Sequence, residues 1–222
     1  MTGVQTCALP IYRRLRASLN ILLTTWQRPW CDDTLLPAGR LRDLPSRASA
    51  ADVVVVTKCP ALPNASEQKR WRERLRLRAE QELFFSGIEY EELAIGSRRS
   101  PDAGELATAN CLLITGIADP APLLAHVQGL FAQTEHIAFA DHHRFTLADL
   151  TKLAARFDTF APAPKMLVTT EKDAARLLSV IPGSPLEGLP LGTIGMRAVI
   201  LNEPERFATF IRDHVATYPA HH

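Results

Sequence analysis

The segment Ala51–Thr57 reads A-D-V-V-V-V-T and decides the fold class of the chain. Its consecutive valines are β-branched and show no polar alternation, which is typical of a strand buried on both faces of a parallel sheet. The apolar runs Ser18–Thr24 and Glu82–Gly87 on either side have similar strand character. Between them, Asn64 or Ser66 can cap a helix with a basic exposed face. We therefore expect an α/β fold with a mostly parallel sheet.

The alternation of strands and helices restarts after the polar, turn-rich segment 96–104 (GSRRSPDAG), which we predict to be a linker. Apolar runs predict further strands at 110–115, 136–139, 165–170 and near 196–201. Helical periodicity predicts helices at about 120–131, 146–160, 171–178 and 204–217. A Pro- and Gly-rich connection at 182–190 precedes the last strand. This pattern indicates a second α/β lobe.

The composition is that of an ordinary globular protein, with 222 residues, 46% of them hydrophobic, and a formal net charge of +1. A nearly neutral chain has no overall field for nucleic acid, so we expect no nucleic-acid partner. The four cysteines show no C-x-x-C spacing, which favours a reducing compartment over a disulfide framework or a zinc site. No apolar run approaches the roughly 20 residues of a membrane span.

The stretch Phe139–Phe145 (FADHHRF) packs titratable groups between a predicted strand and a predicted helix opened by Thr146. An acid beside an imidazole suits proton transfer, so Asp141 and His142 are candidate catalytic residues. A polar loop whose aspartate caps a nearby element fits this stretch equally well. A metal site is disfavoured, because there is no H-E-x-x-H motif and adjacent histidines cannot easily share one ion.

A second candidate site lies in the loop that reads L-P-A-G-R-L-R, which places Arg40 and Arg42 two positions apart on a proline-stiffened turn. Guanidinium groups suit phosphate oxygens because they offer paired donors in a fixed geometry. Upstream, Asp32 and Asp33 could hold Mg²⁺ or orient a polar substrate group. A solvated loop with local ion pairs is the alternative.

Lys58 follows the valine-rich strand, at the edge where open α/β sheets bind ligands. It could contact a nucleotide or simply end the strand. The 222 residues contain no G-x-x-x-x-G-K-[ST] motif, so nothing here cradles a triphosphate by itself. The segment T-T-E-K-D-A is explained by a helix start, with Thr170 as the cap and Asp173 in the first turn.

Six segments in fixed order resemble the tetraacyldisaccharide 4'-kinase (lipid A 4'-kinase) family: LLPAGRLR, VVVVTKCP, FFSGIxY, ITGIADP, FxDHHxF and TTEKDAxRL. The resemblance runs from about Tyr12 to the C-terminus. It implies a P-loop-kinase-type, three-layer, mostly parallel sheet, incomplete because the P-loop portion is missing, plus a second, smaller α/β lobe. It also implies ATP and Mg²⁺ as cofactors and phosphorylation of the 4'-hydroxyl of a tetraacyl-glucosamine disaccharide 1-phosphate to lipid IV-A. The implied location is the cytoplasmic face of the inner membrane, with peripheral association.

The same resemblance implies roles for individual residues. Asp141 and His142 match the family's Asp-His pair, in which the histidine supports the general base. Arg40 and Arg42 would bind anionic substrate or phosphate groups, and Asp33 would lie beside the acceptor. Arg13 matches the last residue of the family's D-D-x-x-Q-H-R motif, and Lys58 is the candidate for nucleotide contact. The P-loop, the base aspartate and the membrane-contacting segment would lie upstream of Tyr12.

Residues 1–11 (MTGVQTCALPI) resemble a translated sequencing adapter, so we expect natural sequence to begin near Tyr12. We divide the rest into a remnant of the N-terminal kinase lobe (12–95), a C-terminal α/β lobe (96–200) and a C-terminal helix (201–222), with a hinge within 92–104. Without a phosphate cradle, the polypeptide as written is expected to be inactive. The alternative function is a non-enzymatic, nucleotide-binding regulatory α/β domain that uses Thr57 and Lys58 for base recognition.

Overall fold

The structure is a computed structural model that describes residues 17–95, 101–160 and 164–217. The strands are β1 Ile21–Thr25, β2 Val53–Thr57, β3 Glu82–Tyr90, β4 Asn110–Thr115, β5 Gln133–Ala138, β6 Lys165–Thr170, β7 Leu191–Ile194 and β8 Met196–Ile200. The α-helices are α1 Ala65–Arg74, α2 Ala103–Thr108, α3 Ala121–Gln128, α4 Leu147–Asp158, α5 Glu171–Leu177 and α6 Pro204–Thr217. The predicted adapter segment and Arg13 lie outside the described residues.

One of two compact units comprises the described residues up to Glu89 and from Ala198 onward. Its sheet has the order β1-β2-β3-β8, and β2 pairs in parallel with both β1 and β3. The valine-rich strand is central and buried on both faces, as predicted from its sequence. Helix α1 packs on one face through Trp71, and α6 covers the other through Phe207 and Phe210. Asn64 provides the cap of α1, with Glu67 completing a capping box.

The other unit, Tyr90–Arg197, contains a second sheet of order β5-β4-β6-β7 in which all pairs are parallel. Helices α2 and α3 pack on one face through Leu106, Leu123 and Val127. Helices α4 and α5 pack on the other face, where Leu150 and Leu177 are buried. The chain leaves β4 and β6 in opposite directions, so the strand order reverses between these two strands. In open parallel sheets such a reversal opens a crevice at the carboxyl ends of the strands, where ligands bind.

The predicted fold class is confirmed: both units are three-layered and mostly parallel. The predictions missed α2 and β7. The Pro, Asp and Gly residues at 101–104 are typical of turns and predict a linker, but Asp102 is the N-cap of α2 and forms a capping box with Glu105. The sequence of β7 does not predict a strand, because the segment is short and contains Gly192. The glycine lies close to Leu93: an added Cβ would be 2.9 Å from Cδ1 of Leu93. The remainder of the predicted linker, 96–100, lies outside the described residues.

Candidate active site

The loop after β5 is fastened to the end of β4 by backbone hydrogen bonds. Phe139 N–H donates to the carbonyl of Thr115 across 2.7 Å, and His142 N–H donates to the carbonyl of Gly116 across 3.4 Å. His142 has a φ of +63°, in the left-handed region that non-glycine residues rarely adopt. Such a conformation persists only where the surroundings enforce it, and it is concentrated at functional sites. The loop thus holds His142 at the carboxyl edge of the second sheet.

Asp141 is held as a carboxylate beside His142. The ammonium of Lys172, at the start of α5, donates to Oδ1 of Asp141 across 3.2 Å. This hydrogen bond lowers the pKa of Asp141 below its usual range. Nε2 of His142 lies 3.6 Å from Oδ2 of Asp141. The structure therefore brings together the two residues predicted to be catalytic.

Arg176, at the end of α5, contacts the other ring nitrogen of His142, Nδ1. Its Nη2 donates to Nδ1 of His142 across 2.9 Å, and its Nη1 donates to Oδ1 of Asp173 across 3.4 Å. A guanidinium has donors only, so Nδ1 must be the acceptor and the ring proton lies on Nε2. In this arrangement the ring N–H lies on the side of Asp141.

Asp173 is a fully buried carboxylate at the reversal between β4 and β6. Its Oδ2 accepts the backbone N–H of Gly116 across 2.8 Å and the hydroxyl of Thr170 across 3.0 Å. An added Cβ at Gly116 would lie 3.0 Å from Oδ1 of Asp173 and 3.4 Å from the carbonyl of Ala140. A larger residue at position 116 would therefore require Asp173 or the loop at Ala140 to shift. Asp173 joins the two strand ends to Arg176.

His143 serves the neighbouring helix rather than the Asp141 pair. Its ring stacks on Phe139 with 4.6 Å between centroids, and its Nε2 lies 3.0 Å from Oδ2 of Asp149. Asp149 is the third residue of α4 and forms a capping box with Thr146, the predicted cap. The hydrogen bonds from His143 and then Thr146 lower the pKa of Asp149 to about 2. The aspartate in the capping box of α4 is thus Asp149, which lies outside Phe139–Phe145, whereas the alternative interpretation concerned Asp141.

The loop with the predicted anion-binding arginines lies in the first unit. A cavity of about 420 Å³ is lined by Arg28, Asp32, Asp33, Ala38, Gly39 and Arg40. Oδ1 of Asp33 accepts the backbone N–H of Thr34 across 2.8 Å and that of Arg40 across 3.2 Å. These hydrogen bonds lower the pKa of Asp33. Asp33 therefore shapes the loop that presents Arg40.

Two features of this loop bear on the predicted Mg²⁺ ligands. Asp32 forms an ion pair with Arg74 of α1, while Asp33 already accepts two backbone N–H groups through one oxygen. In the described part of the chain, no group of three or more His, Cys, Asp or Glu side chains is placed to hold a metal ion. These carboxylates stabilise the loop, and the described donor set does not fit a Mg²⁺ site.

The remaining predicted residues are more scattered. Arg42 is exposed and is not among the residues that line the cavity. Lys58 directly follows β2, is exposed and has a φ of +58°. Arg13 lies outside the described residues. Sequence reasoning missed Arg28, Lys172 and Arg176; the last two belong to the quoted TTEKDAxRL segment, but their proximity to His142 depends on how β5 and β6 flank β4.

Comparison with known proteins gives a consistent result. A family model described as tetraacyldisaccharide-1-P 4'-kinase matches residues 12–216. A tetraacyldisaccharide 4'-kinase of Parabacteroides distasonis is 36% identical over 95% of this chain and 58% of its own length. One of Bacteroides thetaiotaomicron is 38% identical over 75% of this chain and 47% of its own length. The chain therefore spans about half the length of these curated relatives.

A solved structure has a similar fold. The "apo" form of LpxK from Aquifex aeolicus, crystallised in complex with ATP, matches 91% of this chain and 54% of its own chain with a TM-score of 0.53. The sequence identity is 19%, so this likeness concerns the fold alone.

Proposed function

The chain belongs to the tetraacyldisaccharide 4'-kinase family, and we propose that the protein containing it is a lipid kinase of this type. The reaction moves the γ-phosphoryl group of ATP to the 4'-hydroxyl of a tetraacyl-glucosamine disaccharide 1-phosphate and gives lipid IV-A. The observation that supports this proposal is the family match over residues 12–216, which includes every described residue of both candidate sites.

The role proposed for Asp141 and His142 is to orient the general base. By the resemblance, the base is an aspartate of a D-D-x-x-Q-H-R motif, which these 222 residues do not contain. Nδ1 of His142 accepts from Arg176, so Nε2 can donate, and Asp141 accepts from Lys172. A hydrogen bond from Nε2–H would hold a base carboxylate in position while it takes the proton of the 4'-hydroxyl.

The role proposed for the loop in the first unit is to bind an anionic group of the acceptor. Arg28 and Arg40 both line its cavity, and guanidinium groups bind phosphate oxygens through paired donors. Asp33 contributes indirectly, because it fixes the backbone N–H of Arg40. Arg42 and Arg13 are kept as further candidates for phosphate contact on the resemblance alone.

The nucleotide and the metal are proposed from the family. Mg²⁺ would neutralise charge on the phosphates of ATP, but Asp32 and Asp33 do not fit it, so no step is assigned to a metal ligand here. Lys58, at the carboxyl end of β2, is the proposed nucleotide contact. Among the described residues, no helix is long and apolar enough to cross a membrane. Because the acceptor is a lipid and the donor is ATP, we place the protein peripherally on the cytoplasmic face of the inner membrane.

The experiment is a phosphotransfer assay on the longest gene product that contains this chain. It is incubated with labelled ATP, Mg²⁺ and the tetraacyl disaccharide 1-phosphate in mixed micelles, and the lipid is analysed for a 4'-phosphate. Formation of the 4'-phosphorylated lipid supports the proposal. Nucleotide binding without any transfer, together with a nucleotide-dependent change of partner, would instead support the regulatory α/β domain.

A further inference from the structure

We propose that Arg176 is a positioning residue: it fixes His142 as the neutral tautomer whose proton lies on Nε2. His142 would then act as an N–H donor towards a carboxylate, and it would not itself take the proton of the substrate. The catalytic meaning of this inference rests on the proposed function. The tautomer itself does not, because it follows from contacts within one unit of the chain.

The first step is the chemistry of the contact between Arg176 and His142. Nη2 lies 2.9 Å from Nδ1, a normal hydrogen-bond distance. Arginine is always charged and offers only N–H groups, so a proton on Nδ1 would place two donors against each other. Protonation of both ring nitrogens would also bring two positive charges together. Only the Nε2–H tautomer satisfies the contact.

The second step is the rigidity of the guanidinium. Nη1 of Arg176 donates to the buried carboxylate of Asp173 across 3.4 Å, and 27% of the arginine side chain is exposed. Asp173 is itself held by Gly116 N–H and the Thr170 hydroxyl. Through Asp173, these contacts hold the guanidinium at the ends of β4 and β6, so it is more restrained than a solvated surface group.

The third step is that Nε2–H stays available. Among the described residues, the carboxylate oxygen nearest to it is Oδ2 of Asp141, which lies 3.6 Å away, beyond a normal hydrogen bond. Lys172 occupies the other oxygen of Asp141. The side chain of His142 is 59% exposed, so an incoming acceptor can reach it. A carboxylate base fits this position best, since it accepts the N–H and is stabilised by the nearby cations.

The test is nitrogen NMR of the full chain labelled with ¹⁵N-histidine, in which the His142 signals are identified by comparison with His142→Gln. We expect wild-type Nδ1 to show the shift of an unprotonated nitrogen and Nε2 that of a protonated one. Arg176→Leu should convert this pattern to a mixture of tautomers. Arg176→Lys should retain it, because an ammonium also only donates. A wild-type ring with its proton on Nδ1, or an unchanged pattern in Arg176→Leu, would overturn the inference.

Two further variants keep the result interpretable. Arg156→Leu removes an arginine of α4 that pairs with Glu135, and it should leave the His142 signals unchanged. If Arg176→Leu does not fold, Arg176→Gln replaces it: an amide can donate or accept, so the tautomer preference should weaken. A fully retained preference in a folded Arg176→Gln variant would count against the inference.

The kinetic counterpart is measured in the longer gene product. Arg176→Leu should lower kcat by roughly 10²-fold, because the histidine is no longer aligned, with little change in KM for ATP. Arg176→Lys should recover part of the loss. An inactive wild type would refute the proposed function and leave the NMR result standing. A mixed tautomer with unchanged kcat would refute the positioning role while the kinase assignment survives.

Discussion

The buried carboxylate of Asp173 accepts the backbone N–H of Gly116 across 2.8 Å, although 57 positions separate the two residues in the chain. The contact joins the end of β4 to the start of α5, at the point where the strand order of the second sheet reverses. Asp173 also accepts from Arg176, and the carbonyl of Gly116 accepts from His142 N–H. This pair therefore supports the loop that contains Asp141 and His142.

Replacing Asp173 should destabilise the second unit strongly. Asp173→Ala removes the acceptor of two buried donors, Gly116 N–H and the Thr170 hydroxyl, and leaves Arg176 without its carboxylate. We expect the free energy of unfolding to fall by about 3 kcal/mol, measured by urea denaturation. Asp158→Ala, at the exposed end of α4, is the matched control and should change it by less than about 0.5 kcal/mol. Equal effects of the two substitutions would contradict the anchoring role.

Gly116→Ala tests the close approach from the other side. The added methyl would lie 3.0 Å from Oδ1 of Asp173, so either the carboxylate or the loop at Ala140 must shift. We expect a loss of about 1–3 kcal/mol in the free energy of unfolding, which is the usual range for overpacking a well-packed site. Gly104→Ala in α2 is the comparison, since alanine is the better helix former and its added Cβ meets only an exposed side chain. A Gly116→Ala protein as stable as wild type would show that the site is not tightly packed.

Much of the fold could be predicted from the sequence because the strands are marked by local composition. The consecutive valines of β2 and the apolar run of β4 favour strands that are buried on both faces of a parallel sheet. Helix α2 could not be separated from a linker, because Asp102 and the residues around it serve turns and helix caps equally well. Strand β7 is short and contains Gly192, and only its pairing with β6 makes it a strand.

The neighbouring residues of the candidate site could be predicted from the sequence, but the contacts between distant segments could not. Asp141 and His142 stand next to each other in the sequence, so their proximity needs no fold. Lys172 and Arg176 reach them only because β6 lies beside β4 and α5 starts at the same sheet edge. The roles predicted for Asp33, towards Mg²⁺ or the acceptor, depended on its residue type and on the resemblance, whereas the structure shows its Oδ1 bound to backbone N–H groups.

The stability of the chain should depend on Asp149 at low pH. In the folded chain its pKa is about 2, against an ordinary value of 3.8, so the unfolded chain binds more protons between these values. This contribution to stability is present above about pH 5 and is lost as the pH falls towards 2. Asp149→Asn should therefore flatten the fall of the unfolding free energy over that range, as followed by urea titrations at several pH values.

Asp141 has a pKa lowered by Lys172 and contributes in the same direction, so the dependence should weaken in Asp149→Asn without disappearing. Asp158→Asn, which leaves the capping box of α4 intact, is the control. An Asp149→Asn protein that loses stability with acid as steeply as wild type would contradict the role given to the hydrogen bonds from His143 and Thr146.

Arg40 should act on acceptor binding and not on the transfer step. Arg40→Leu should raise KM for the lipid 1-phosphate acceptor by roughly 10-fold or more, because a charge-assisted hydrogen bond contributes about 1.5–3 kcal/mol. With an acceptor that lacks the 1-phosphate, wild type and variant should have similar KM values. Arg28→Leu, from the same cavity, should behave alike. A KM that rises equally for both acceptors would exclude phosphate recognition by this loop.

One assay tests both the kinase assignment and the role of His142. It compares the rate of 4'-phosphorylation by the full gene product with that of its His142→Ala variant. If His142 orients the general base, kcat for the tetraacyl disaccharide 1-phosphate should fall by roughly 10²-fold or more, with an intact fold and little change in KM for ATP. A variant that transfers phosphate to the 4'-hydroxyl as fast as wild type would contradict this role, and a wild type that forms no 4'-phosphate would contradict the assignment itself.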